Sequence, residues 1–426
     1  MNWVATRARR KLSQMIAGAR GRALDVVDRL SGDGGWHARD VPPKAVDATG
    51  IAIVGCGFVA DFYALNLRMH ADLRIVGAFD QVKARSRAFH DVHGGRLYAS
   101  IEELLNDPDV EIVVNLTNPA SHHTISKIAL LAGKHVYSEK PLAMTFELAA
   151  ELVAIAQERG LLLSCAPCGY LGESLQTLHD ALRRGLIGQP RLIYAELDDG
   201  PIHRMHPDSW ESPSGIPWPW QDEFRVGCTI EHAGYHIGWM VKIFGPAKFV
   251  TADAVRLAPE KHRDLPAPEA AADFSVACIR FASGIVARIT CSIIAPHDHA
   301  LRVIGDNGVL SIGEIWHNGA PVKLHRFTDL SLRAESYSWI ARSSGWSRIF
   351  GLSGRTLTAG PGGWRRKIRR HEMDYALGIA DMSKALKHGT EPVLSAEWSL
   401  HVTEIALAIA QACDRGGTVK ITSGSR

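Results

Sequence analysis

Gly50-Ile51-Ala52-Ile53-Val54-Gly55-Cys56-Gly57-Phe58-Val59-Ala60 joins a short apolar run to a Gly-x-Gly turn and the start of a helical pattern. Gly55 permits the tight turn, Gly57 lets the backbone approach a pyrophosphate, and Ala60 keeps the helix close to the sheet, with the phosphates at the helix N-terminus. Gly55, Gly57, Phe58 and Val59 are therefore expected to hold a dinucleotide. The next apolar run, Leu73 to Phe79, ends at Asp80, 23 residues after Gly57. A carboxylate there can accept the ribose hydroxyls of an adenosine half and repels a 2′-phosphate, so NAD is expected in preference to NADP, with Arg85 as the residue able to moderate that preference.

Working outward, helix and strand signals alternate. Phe58 to about His70 and a stretch through Ala88 read as helices, and Ser100 with Glu103 reads as a capping box. Val110 to Asn115 and Val136-Tyr137 read as buried strands. A helix from Ser121 to Leu131 stops at Gly133, another capped by Thr145 ends at Gly160, and Leu161 to Cys165 closes the unit. Such alternation predicts a doubly wound parallel sheet.

After Pro167 the runs become β-like: Leu192 to Glu196, Phe274 to Phe281, Ile285 to Ser292, and a hairpin from Ala300 to Gly313 about Asp306-Asn307-Gly308. The expected fold class is α/β, with an N-terminal Rossmann sheet and a C-terminal α/β domain built on a large, mainly antiparallel open sheet. Residues 331–366 read as an irregular excursion, followed by helices near His371 to Lys387 and Ala396 to Cys413. The domain boundaries are expected at 1–48 for an N-terminal extension and linker, 49–168 for the cofactor domain and 169–426 for the substrate and oligomerisation domain.

The 426 residues, 46% hydrophobic and 22% charged, exclude a chain disordered throughout and a small disulfide scaffold. The seven cysteines are odd in number and scattered, which fits reduced thiols and a cytoplasmic location. No apolar run is long enough to span a membrane. Residues 1–30 hold seven Lys/Arg against two Asp, with apolar residues at helical spacing. Such a basic amphipathic arm can lie on an anionic membrane surface, dock on a partner, or pack on its own body. Arg365 to Arg370 is a second basic run, read as a solvated helix start; without a recognition module it does not point to nucleic acid.

Asn115-Leu116-Thr117-Asn118-Pro119 with His122, and Ala132-Gly133-Lys134-His135-Val136-Tyr137-Ser138-Glu139-Lys140-Pro141-Leu142, resemble the glucose-fructose oxidoreductase and inositol dehydrogenase family (Gfo/Idh/MocA). The resemblance runs from about Gly50 to Thr422. It implies hydride transfer on a sugar, polyol or nucleotide sugar, and often a homo-oligomer. It also implies that Lys140 is catalytic, that Glu139 lies by the nicotinamide, and that Thr117, Asn118 and His122 line the cofactor cleft. From the residues alone, His122 reads equally as a capping or packing histidine. Lys140 follows a strand at the carboxyl edge where α/β crevices bind ligands, and partial desolvation there is expected to lower its pKa and suit it to relay a proton.

The second catalytic segment departs from the family's Asp-x-Gly-x-His pattern, reading Gly227-Cys228-Thr229-Ile230-Glu231-His232-Ala233-Gly234-Tyr235-His236. Matching glycine and histidine selects His236 and puts His232 where the aspartate belongs. Counting back without gaps from Gly245-Pro246 aligns Glu231 with the aspartate and Tyr235 with the histidine, and this register is preferred because one inserted residue turns a helix by about 100°. Glu231, Tyr235 and His236 are thus the remaining catalytic candidates. His232 and His236 have zinc-helix spacing, but position 233 is Ala, and no metal is expected. Cys165 and Cys168 read as buried, inert thiols. Trp210, Trp218 and Trp220 suit either stacking on a pyranose or covering the sheet. The altered segment keeps two alternatives open beside the oxidoreductase: a cofactor-bound regulatory or scaffolding protein without turnover, and an NAD-requiring glycosidase.

Overall fold

A computed structural model describes residues 41–258, 271–350, 352, 354–357, 373–412 and 417–424. The chain forms two units, Met1–Pro43 and Lys44–Arg426, and every element below lies in the second. The basic arm of residues 1–30 and the run Arg365 to Arg370 fall outside the described residues.

Six parallel strands, β1 (Thr49–Val54), β2 (Leu73–Phe79), β3 (Arg96–Leu97), β4 (Ile112–Asn115), β5 (His135–Ser138) and β6 (Leu163–Cys165), form a sheet in the order β3-β2-β1-β4-β5-β6. Every residue of β1 and β4 is buried, as expected where helices cover both faces. The helices are α1 (Phe58–Met69), α2 (Lys83–His93), α3 (Ile101–Asn106), α4 (His122–Leu131) and α5 (Phe146–Arg159). Thr145 caps α5 through the amide of Leu148, and Gly160 ends it in the left-handed conformation. At α3 the reciprocal box is only half made: Ser100 accepts from Glu103, whose carboxylate takes the amide of Ala99 instead of Ser100.

The strand order reverses between β1 and β4, which opens a crevice above their carboxyl ends. Gly55 follows β1 at φ 94°, and a Cβ on it would lie 2.7 Å from the backbone of Leu116 and Thr117 after β4. Only glycine lets the two loops meet so closely.

The second sheet has nine strands in the order β14-β13-β12-β11-β7-β10-β9-β8-β15. They are β7 (Pro190–Asp198), β8 (Ala247–Val255), β9 (Phe274–Phe281), β10 (Val286–Ser292), β11 (Leu301–Gly305), β12 (Gly308–Ile312), β13 (Val322–Arg326), β14 (Arg355–Leu357) and β15 (Thr418–Lys420). Among the described pairings only β7 with β10 is parallel, and Asp306-Asn307 closes the β11–β12 hairpin. The remaining helices are α6 (Glu173–Arg183), α7 (Trp220–Val226), α8 (Cys228–Phe244), α9 (Asp329–Glu335), α10 (Ser338–Arg342), α11 (Ser344–Ile349), α12 (Leu377–His388) and α13 (Ala396–Ala410).

Three helices and a strand thus occupy much of the stretch expected to be irregular. Their short lengths leave no sustained period to detect, although Thr328 and Ser331 form a capping box at α9. The apolar side of α8, with Ile230, Ala233, Ile237 and Met240, packs on the second sheet through Ala277, Ile289 and neighbours. Ala376, Ile379 and Met382 return the chain to the core of the first sheet.

Candidate active site

A cavity of about 640 Å³ is lined from both sheets. At one end are Gly55, Gly57, Phe58, Val59, Asp80, Arg85, Thr117, Asn118 and His122. A Cβ on Gly57 would meet nothing within 4 Å, and α1 starts there without a side-chain cap. This open cradle at a helix N-terminus fits a pyrophosphate. Asp80 is buried and braces the turn, its two oxygens accepting the amides of Cys56 at 2.8 Å and Val82 at 2.7 Å. Each oxygen retains a lone pair for a ribose hydroxyl.

His122 lines the cavity but is spoken for: its ring nitrogens lie 2.7 Å from the Pro141 carbonyl and 2.9 Å from that of Thr117. Burial, against these two carbonyls, pushes it below the usual histidine range. The geometry ties together the loops after β4 and β5, so His122 borders the cleft as expected while both ring nitrogens serve the fold.

Glu139 and Lys140 follow β5. Glu139 accepts from the Tyr63 hydroxyl at 2.7 Å and from the Lys140 amide at 2.9 Å. The Lys140 ammonium pairs with Glu231 from the first turn of α8, and Glu223 from α7 hydrogen-bonds Glu231 in turn. Burial works to lower the pKa of Lys140, but its ion pair with Glu231, with Glu139 nearby, more than offsets it, so the ammonium persists above the ordinary lysine value. This reverses the expected lowering. Lys140 stands here as a proton donor. Glu231 is held as the anion by Lys140 despite burial, whereas burial and the neighbouring Glu231 keep the Glu223 carboxyl protonated well above its usual range.

A carboxyl with a raised folded pKa binds its proton more tightly in the fold than in the unfolded chain. The fold therefore loses stability as pH rises from the ordinary value of 4.5 toward the raised one. Gln at position 223 is neutral in both states and can still donate to Glu231. Glu223→Gln should match the wild type near pH 4 and unfold at a higher temperature than it near pH 8, as read by thermal unfolding across pH. A lower unfolding temperature at the alkaline end would mean that Glu223 is ionised in the fold.

One turn along α8, Tyr235 lines the cavity with its ring 5.3 Å from Trp316. His236 does not reach the cavity. It is fully buried, its Nε2 donates to the Glu196 carbonyl at 2.9 Å, and its Nδ1 accepts from Trp239 at 3.2 Å. Burial pushes its pKa down to about 3. The helical repeat explains this correction: Glu231 and Tyr235 share the side that lines the cavity, while His236 turns into the sheet. Trp210 and Trp218 line the cavity with ring centroids 4.9 Å apart, whereas Trp220 packs on Phe224.

Asp199, Glu223 and Trp316, which no motif marks, also line the cavity, as does His232. Asp199 follows β7, and its carboxylate spans His232 at 2.8 Å and His299 at 2.7 Å. His299 also binds Glu314 at 2.9 Å, and Glu314 binds His297 at 3.0 Å. Asp199, His297 and His299 bring ligand-type atoms within 4.8 Å of one another, but each is already hydrogen-bonded in this chain. Cys165 and Cys168 are both free and buried, and burial pushes the Cys168 thiol up to about 12.

A Rossmann crevice with an uncapped glycine cradle, opening onto a buried lysine and carboxylates, defines a nicotinamide-dinucleotide-dependent oxidoreductase. Residues 49–166 match the NAD-binding Rossmann domain of the GFO/IDH/MocA oxidoreductases and residues 175–311 match their C-terminal domain. The chain belongs to that family. It is 25% identical over 265 residues to trans-1,2-dihydrobenzene-1,2-diol dehydrogenase from Bos taurus, covering 61% of this chain and 72% of that one.

The fold is shared with a putative NADPH-dependent oxidoreductase from Desulfitobacterium hafniense (TM-score 0.68, 16% identity, 88% of this chain and 99% of that one). It is also shared with the WlbA dehydrogenase from Bordetella pertussis in complex with NADH and UDP-GlcNAcA (TM-score 0.65, 18% identity, 89% and 99%). Among the described residues, no helix is long and apolar enough to cross a membrane.

Proposed function

We propose that the protein moves a hydride between NAD and a hydroxyl-bearing ring carbon of a sugar, polyol or nucleotide sugar. The observation that carries this reading is one cavity holding both the Gly57 cradle and the Lys140 ammonium. When bound, the dinucleotide supplies a nicotinamide that accepts or returns the hydride. Gly55, Gly57, Phe58 and Val59 bind its phosphates, Asp80 its ribose, and Thr117, Asn118 and Glu139 border it. Lys140 donates a hydrogen bond to the reacting oxygen and, in reduction, supplies the proton. Glu231 keeps Lys140 charged, and Tyr235 with Trp210 and Trp218 borders the ring of the substrate.

The dihydrodiol named for the bovine relative and the nucleotide sugar bound by WlbA are both hydroxylated six-membered rings, which supports that substrate class. Residues 49–168 serve as the cofactor domain and 169–426 as the substrate domain. The outer side of the second sheet, with Leu192, Tyr194 and Phe249 exposed, is the face assigned to self-association. The basic arm within residues 1–48 is assigned to an anionic surface or partner, and the free cysteines to a cytoplasmic setting.

The test is a screen of purified protein against sugars, polyols, nucleotide sugars and a cyclic trans-diol, following nicotinamide absorbance. Turnover on one of these is expected. Cofactor binding with no turnover on any would favour the regulatory alternative.

Cofactor choice is tested separately. NAD(H) should bind more tightly than NADP(H) in fluorescence titrations, because the Asp80 carboxylate opposes a 2′-phosphate. Asp80→Asn should narrow the difference by about tenfold, roughly 1.4 kcal/mol. Equal affinities in the wild type would overturn the preference.

A further inference from the structure

We propose that helices α9–α11 form a docking face for an anionic phospholipid surface, with Trp339 and Trp346 entering the headgroup layer. No residue of these helices lines the active-site cavity, so the inference stands apart from the oxidoreductase reading.

The three helices turn their large side chains outward. Leu330, Leu332, Tyr337, Trp339, Trp346 and Ile349 are each 46% to 68% exposed. Apolar residues exposed singly are ordinary, but six of them gathered in one short segment mark a contact surface. In α9 the buried residues are Ser331 and Ala334. The Thr328 amide holds the Ser331 hydroxyl at 2.9 Å, and α9 presents Leu330 and Leu332, on either side of that serine, to solvent. In α10 Ile340 is buried and its neighbour Trp339 exposed; in α11 Ser347 is buried and its neighbour Trp346 exposed. The two indoles meet edge to face with centroids 6.0 Å apart, and Trp346 reaches Phe350 at 6.0 Å. These contacts join α10 and α11 into one aromatic surface.

Charge decides the occupant. Lys323, Arg326, Arg333, Arg342 and Arg355 are exposed on these helices and the strands beside them, against Asp329 and Glu335, and Glu335 already lies 3.8 Å from His325. In sequence, residues 356–371 add five Lys/Arg and no acid, and residues 1–30 hold seven Lys/Arg against two Asp. With only +3 on the whole chain, the remainder of the protein is acidic, so the cations are concentrated around this face and the two basic stretches.

A second copy docked symmetrically would set these cations against their own image. An anionic phospholipid surface meets both components of the face at once. Trp and Tyr prefer the boundary between headgroups and acyl chains, and Arg lays its apolar stem along that boundary while its guanidinium reaches the phosphates. At five to seven residues each, the helices lie on such a surface and do not cross it.

Flotation of the full chain with vesicles tests this. The protein should rise with vesicles of phosphatidylcholine mixed with phosphatidylglycerol, stay behind with phosphatidylcholine alone, and bind less as salt is raised. Trp339→Ser combined with Trp346→Ser should lower the vesicle affinity by about tenfold or more, and Arg333→Glu combined with Arg342→Glu by at least as much. All four side chains are exposed, so the thermal unfolding temperature should be unchanged; where the tryptophan pair lowers it, the arginine pair decides. With brominated acyl chains, the tryptophan emission of the wild type should be quenched more than that of the double tryptophan variant.

Absence of binding to the anionic vesicles overturns the proposal. So does unchanged affinity in a folded tryptophan variant, including the case in which Arg9→Glu with Arg10→Glu abolishes binding and gives the whole contact to the N-terminal arm. A wild-type oligomer that the tryptophan substitutions dissociate, as read by light scattering without vesicles, overturns it as well and makes the face a self-association surface.

Discussion

Lys140→Ala should lower turnover by about 10²- to 10⁴-fold while NADH still binds. The Lys140 side chain is tied to Glu231, and the dinucleotide cradle at Gly55, Gly57 and Asp80 is built without it, so its loss removes no group from the adenosine half. What is lost is the donor to the reacting oxygen, at a site where burial makes a charge worth more than in water. Glu231 is left without its cation, and an uncompensated buried carboxylate protonates instead of staying charged. The variant should therefore unfold at a lower temperature near neutral pH, and more nearly like the wild type in acid, where Glu231 takes a proton in both. Single-turnover absorbance and fluorescence titration separate the two readouts. Full turnover in Lys140→Ala, or loss of NADH binding with turnover, would remove the lysine from the chemistry.

Local chemistry made the cofactor half legible. A strand, two glycines and a helix start lie within a dozen residues, and Asp80 falls at the end of the next strand, so the crevice could be drawn before the sheet order was known. Helical spacing likewise distinguished Glu231 and Tyr235 from the neighbouring side of α8, though not which side faced the sheet; that depends on the Glu196 carbonyl that captures His236.

The charge state of Lys140 was not legible. It is set foremost by Glu231, which stands 91 residues away along the chain and is itself hydrogen-bonded by Glu223 from a different helix, a carboxyl with no motif around it. The network of Asp199, His299 and Glu314 gathers residues from beyond β7, before β11 and after β12, and no spacing along the chain encodes such a meeting. Strands β8, β13 and β15 carry no legible signal because each mixes apolar residues with charged or hydroxyl ones near the sheet's edges. Their pairing partners, and not their own propensity, make them strands.

Glu231→Gln should have a different signature from the loss of the lysine itself. In the wild type, burial is the largest influence on Lys140 and acts to lower its pKa; the ammonium survives because Glu231, ahead of Glu139, acts the other way. Gln removes the strongest of these anions and leaves the burial in place, so the pKa of Lys140 falls. Deprotonation then enters the working pH range. In the reduction direction, where Lys140 supplies the proton, the alkaline limb of kcat/KM should move to lower pH, with a loss of about 10- to 100-fold at neutral pH that is partly recovered in mild acid. Lys140→Ala has no such limb to move, and its loss should not be recovered by acid. A limb that stays in place in Glu231→Gln would show that Glu223 and Glu139 suffice to hold the charge, and that Glu231 orients the lysine without setting its protonation.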